Sequence, residues 1–119
     1  MKKISFLAIG IVLLLFSTVL ADSSPINGVW VGPVASGGYL HMNLSVDNNG
    51  QITGTGIVKF GGKTVAYANS ITGTVNGNEV RLAVAYNQGT TPRYRLELVD
   101  DDKLVGVQGK FEVTFIKQK

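Results

Sequence analysis

The side chains best suited to hold a molecule are Tyr67, Tyr86 and Tyr94 together with Met42, Asn69 and Gln108. They offer aromatic and thioether surface for an apolar body, and two amides to orient a polar group. Those suited to making or breaking bonds are few. His41 is the single histidine and there is no cysteine, which excludes thiol chemistry, Cys-based zinc and multi-histidine metal sites. A Ser-His-Asp relay would have to be built around His41, which alternation turns outward between Tyr39 and Asn43. Asp47-Asn48-Asn49-Gly50 and Asp100-Asp101-Asp102 lack the spaced oxygen ligands of a calcium loop and read as solvated turns. No pair of titratable groups converges, so the expectation is a binding protein without cofactor or metal, not an enzyme.

The elements that must position these residues are strands. From Tyr39 to Asp47 the even positions Leu40, Met42, Leu44 and Val46 are apolar and the odd ones polar or amphipathic, the period of two of a half-buried strand. Turn residues divide the chain into eight such segments at about 28–34, 39–47, 51–60, 63–75, 78–86, 93–99, 103–108 and 110–117. The turns also fix who faces whom. Asn48-Asn49-Gly50 sets Val46 opposite Ile52 and Leu44 opposite Gly54. Gly61-Gly62 sets Val58 opposite Val65, and Asn76-Gly77 sets Ile71 opposite Leu82. Asp100-Asp101-Asp102 pairs Leu98 with Leu104, and Gln108-Gly109 pairs Leu104 with Val113. On the outer face, Arg81 is expected opposite Glu97. Five hairpins that keep one apolar face predict an all-β, eight-stranded antiparallel up-and-down meander closed into a barrel.

Carrying these registers round the ring sorts the interior by level. One inward row reads Met42, Gly56, Tyr67, Tyr86; the next reads Leu44, Gly54, Asn69, Val84, Tyr94, Gln108. The remaining inward residues, nearer Trp30, are almost all apolar. The prediction is an open, polar mouth above a packed base, with Gly54 and Gly56 adding room by removing side chains from the wall.

Gly28-Val29-Trp30, Gly50-Gln51-Ile52-Thr53-Gly54-Thr55 and Ile71-Thr72-Gly73 resemble the calycin superfamily of small barrels, which holds lipocalins, avidins, fatty-acid-binding proteins and a group of bacterial protease inhibitors. The resemblance implies that Trp30 plugs one end and that a basic residue of the last strand crosses it. Lys117 is the matching position, where calycins more often carry arginine. It does not imply biotin binding, because Trp30 is the only tryptophan.

Residues 1–21 read as a signal peptide: Met1-Lys2-Lys3, an apolar run from Ile4 to Val19, and small residues at Val19-Leu20-Ala21. An uncleaved anchor is the competing reading. Removing 21 residues from 119 leaves 98, and without Lys2 and Lys3 there are 9 basic residues against 8 acidic. That balance gives no electrostatic case for nucleic acid. The organisation expected is a signal peptide (1–21), a flexible leader (22–27) and one barrel domain (28–119), secreted or periplasmic, with no membrane span after cleavage. The function expected is carriage of a small, largely apolar ligand at the mouth. The alternative is a filled barrel acting through its surface, as a protease inhibitor that inserts residues 22–26 or as an envelope or adhesion module. Val29, Val31, Val105, Val107 and Ile116 share outward parity on strands that closure makes neighbours, a stripe suited to a homo-oligomer.

Overall fold

Eight strands follow one another in the order in which the sequence alternates: β1 (Gly28–Pro33), β2 (Tyr39–Val46), β3 (Gln51–Phe60), β4 (Lys63–Asn76), β5 (Glu79–Tyr86), β6 (Arg93–Asp100), β7 (Lys103–Gln108) and β8 (Phe111–Lys117). The computed structural model describes residues 24–119; the expected signal peptide lies outside them. Each strand pairs antiparallel with the next, and β1 pairs with β8 through Trp30 opposite Lys117 and Val31 opposite Ile116. The sheet is therefore a closed up-and-down barrel with no bare edge.

Turn chemistry explains both the registers that match the sequence reading and those that slide. Val46 faces Ile52, Leu44 faces Gly54 and Leu98 faces Leu104, as expected. Gly61 and Gly62, with φ of 62° and 82°, form the two-residue turn closed by Phe60 and Lys63. At the β4–β5 and β7–β8 hairpins, glycine takes the first loop position rather than the second. The loops are Gly77-Asn78 and Gly109-Lys110, so Ile71 faces Val84 rather than Leu82, and Leu104 faces Phe115 rather than Val113. A slide of two residues leaves every side chain on its own face.

β4 departs further. Gly54 pairs with Ile71 but Gly56 with Ala68, and Ala68 pairs with Tyr86 while Ser70 pairs with Ala85, so Asn69 is an extra residue in both ladders. Beyond this bulge, the inward positions are Ala66 and Ala68, both buried. Tyr67 and Asn69, expected inside, face outward and are exposed. A second irregularity pairs Val58 with Ala66 and Lys59 with Thr64, leaving Val65 without a partner; the expected pairing of Val58 with Val65 is corrected accordingly.

The interior is filled. Leu40, Leu44, Ile52, Ile71, Val84, Leu104 and Phe115 are fully buried, each contributing roughly 1.5–3 kcal/mol by leaving water. Gly54 and Gly56 do not widen the barrel. A Cβ at 54 would stand 2.2 Å from the Asn43 carbonyl oxygen, and one at 56 would stand 3.1 Å from Leu40 Cδ1. Gly73 and Gly106 are tighter still, each 2.0 Å from a carbonyl oxygen of the adjacent strand by the same measure. These glycines let neighbouring backbones approach where a small barrel bends.

The base is closed by a segment expected to be mobile. Of the predicted leader, residues 24–27 form a turn in which Asn27 N–H donates to Ser24 O at 3.2 Å, and the Ile26 side chain is 1% exposed. Val46 N–H donates to Asn27 Oδ1 at 2.8 Å, tying this turn to β2. An apolar side chain with the open end of a barrel beneath it buries there rather than staying in water.

Candidate functional site

The turns 34–38, 61–62, 87–92 and 109–110 gather at the end of the barrel opposite Ile26, and none carries an acidic side chain. The turns 34–38 and 87–92 border an open cup of about 530 Å³. Its apolar wall comes from Val34 in the first loop, Val58 on β3, and Val65 and Ala66 on β4. Tyr86, Gln108, Thr90 and Thr91 supply hydroxyl and amide groups, and among the described residues no charged side chain lines it. The bulges in β4 make this wall: they turn Ala66 inward, where its small side chain leaves space, and swing Val65 to the rim.

The loop that overhangs the cup is pinned at both ends. Tyr86 N–H donates to Thr90 O at 2.9 Å, and Asn87 exchanges bonds with Tyr67: its N–H donates to Tyr67 O at 2.9 Å and its Oδ1 accepts from Tyr67 N–H at 3.1 Å. Val84 N–H donates to Pro92 O at 3.0 Å. Such a loop holds Thr90, Thr91 and Pro92 over the opening.

Six residues were expected to bind a ligand, and the barrel separates them. Tyr86 and Gln108 line the cup. Tyr94 does not line the cup; it is 3% exposed and edge-on to Phe115 with ring centres 5.6 Å apart. Its phenol is hydrogen-bonded to that of Tyr86. Burial raises the pKa of both phenols above the ordinary tyrosine value; the Tyr86 charge and the hydrogen bond to Tyr86 raise that of Tyr94 further, while the bond from Tyr94 moderates the rise at Tyr86. Both are neutral donors at physiological pH. Met42 is fully buried in the core, and Tyr67 and Asn69 are on the outside. The alternation missed Val34, Val65 and Ala66; the polar run Asn87-Gln88-Gly89-Thr90-Thr91-Pro92, too long for a tight hairpin, was the signal for the overhanging loop.

At the base, Trp30 is fully buried and its indole N–H donates to Ile26 O at 2.9 Å. Lys117 Nζ lies 5.6 Å from the centre of the Trp30 ring and donates to Pro25 O at 2.6 Å. Its stem lies across Gly28, where a Cβ would stand 2.8 Å from Lys117 Cε.

The acidic turns are built as turns. Asp47 Oδ1 accepts from Asn49 N–H and Gln51 N–H at 2.8 and 2.9 Å, and Asp100 Oδ1 accepts from Asp102 N–H at 3.1 Å. Among the described residues, no group of three His, Asp or Glu is arranged to hold a metal ion, and no helix is long and apolar enough to cross a membrane. The outer apolar stripe is interrupted: Val31 pairs with Ile116, but Thr114 faces Val105 and Glu112 faces Val107. Compared with known proteins, the chain matches no family model, no curated protein and no solved structure.

Proposed function

We propose that the protein binds a small, largely apolar molecule in the cup at the barrel mouth. The carrying observation is the cup itself: about 530 Å³ of open volume with an aliphatic wall on one side and the Tyr86 and Gln108 polar groups on the other. Because no charge lines it, the part of the ligand taken from water is neutral, with one hydrogen-bonding group directed to Tyr86 and Gln108. The packed interior below confines the ligand to the mouth. In this reading the chain is calycin-like, an assignment supported by the closed eight-stranded meander and by Lys117 lying over Trp30. Export to the periplasm or medium is proposed from the signal-peptide grammar of residues 1–21.

The test uses the neutral dye N-phenyl-1-naphthylamine as probe. Wild-type protein is expected to bind it, and Val65→Asp, which puts a charge on the aliphatic rim, to weaken binding at least about tenfold, the cost of an unpaired charge against an apolar surface. Equal dye affinity in that variant would refute the cup. Tyr86→Phe and Gln108→Ala, which leave the apolar wall intact, should matter for a native ligand and little for the dye.

The inhibitor reading loses support, since Ile26 is buried and the Pro25 carbonyl is engaged by Lys117. A surface role retains one specific observation. Val29, Val105 and Ile116 are 37%, 37% and 41% exposed, and a second copy covering Val29, Val31 and Ile116 is the proposal it supports. Ile116→Lys would then shift the sedimentation coefficient toward the monomer.

A further inference from the structure

The outer face of β5 and β6 is arranged against ordinary charge pairing. Arg81 stands directly opposite Arg95, and Glu79 directly opposite Glu97, correcting the expected pairing of Arg81 with Glu97. The six-residue connection 87–92 is too long for a two-residue hairpin loop, so the sequence does not fix that register. Like charges opposite one another on antiparallel strands are destabilising. Arg81 gains some relief along its own strand, with Nη2 2.8 Å and Nε 3.0 Å from Glu79 Oε2. Arg95 and Arg93 make no ion pair among the described residues, although Glu97 follows Arg95 two positions on along the same face. The row continues onto β4, where Thr74 faces Arg81 and Thr72 faces Ala83, and Ala83 in turn faces Arg93.

The result is a depression. Ala83, the smallest side chain of the group, floors a groove of about 430 Å³ whose walls are Arg81, Arg93 and Arg95 with Thr72 and Thr74. Guanidinium groups present planar pairs of N–H donors that match the oxygens of an oxyanion, and hydroxyls add further donors. We infer that this groove is a binding site for a tetrahedral oxyanion, a phosphate or sulfate group either free or carried as an ester. A bound dianion between Arg81, Arg93 and Arg95 replaces cross-strand repulsion with charge-assisted hydrogen bonds. This site lies outside the barrel and does not depend on the mouth cup.

The experiment is titration of the full-length, folded protein with inorganic phosphate, inorganic sulfate and glycerol 3-phosphate at constant ionic strength, followed through the arginine Nε–H resonances and thermal unfolding. The expected result is saturable shifts confined to Arg81, Arg93, Arg95 and their strand neighbours, with a rise in Tm that chloride does not give. Arg93→Gln and Arg95→Gln should each weaken binding about tenfold or more, the scale of a lost hydrogen bond to a charged group. Lys59→Gln/Lys63→Gln, which removes two charges elsewhere, should leave affinity unchanged. Arg95→Glu places opposite charge across from Arg81, and should raise the anion-free Tm while abolishing the anion-dependent rise. Tighter binding of glycerol 3-phosphate than of phosphate assigns the ester, and the reverse assigns the free ion. Shifts spread over all basic residues, or affinity indifferent to Arg93→Gln and Arg95→Gln, would overturn the inference.

Discussion

Lys117 closes the base of the barrel over Trp30. Its ammonium lies 5.6 Å from the ring centre and is held there by the Pro25 carbonyl, so one side chain joins the last strand, the first strand and the turn that precedes it. A cation over an indole contributes about 0.5–2 kcal/mol. Lys117→Met keeps the stem and removes the charge, and should lower stability by that amount in urea unfolding. Trp30→Ala should cost roughly 3–5 kcal/mol, and against a typical total of about 5–15 kcal/mol this brings the domain close to unfolding.

Ile26 provides a separate check on the base. A flexible leader would tolerate any residue at this position. A buried plug would not, and Ile26→Ala should cost roughly 2–5 kcal/mol, with faster proteolysis between residues 22 and 27. A change within about 0.5 kcal/mol, the range of ordinary surface substitutions, would show that the turn is not packed.

How much of this was legible in the sequence follows from what a period of two can report. Strand positions and barrel closure were legible because Gly61-Gly62 and the Asp- and Asn-containing turns punctuate a clean alternation. Slides of two residues, such as Ile71 onto Val84, are invisible to alternation because parity survives them. The bulge at Asn69 was not legible either. Tyr67-Ala68-Asn69-Ser70 alternates acceptably in both phases, and only the pairing with β3 and β5 selects the one that turns both alanines inward. The site suffered most, since Tyr67 and Asn69 belong to the inverted segment while the wall it creates, Val65 and Ala66, carries no chemical signature. Ile26 was obscured by its polar neighbours, although an isolated apolar residue four positions before Trp30 was the available clue.

The tyrosine pair predicts a pH dependence with a definite sign. Burial, then the Tyr86 charge and the hydrogen bond to Tyr86, raise the folded-state pKa of Tyr94 above its ordinary value of 10.0, and burial raises that of Tyr86 in the same direction. Above about pH 10 the unfolded chain therefore releases protons that the folded chain keeps. The stabilising contribution of this pair is complete below that pH and falls as pH rises through the folded-state values. Urea midpoints should decline above about pH 10, and Tyr94→Phe should flatten the decline. An unchanged slope in that variant would assign the effect to other groups.

The central claim is that this barrel is packed throughout, so that an apolar ligand is held at the mouth and not in the interior. Backbone amide shift mapping with N-phenyl-1-naphthylamine tests it most directly. The account predicts saturable shifts at Val34, Val58, Ala66, Tyr86, Thr91 and Gln108, with Leu44, Ile52 and Leu104 unmoved. Shifts centred on those three core residues would mean that the barrel opens to hold its ligand inside, and would contradict the account.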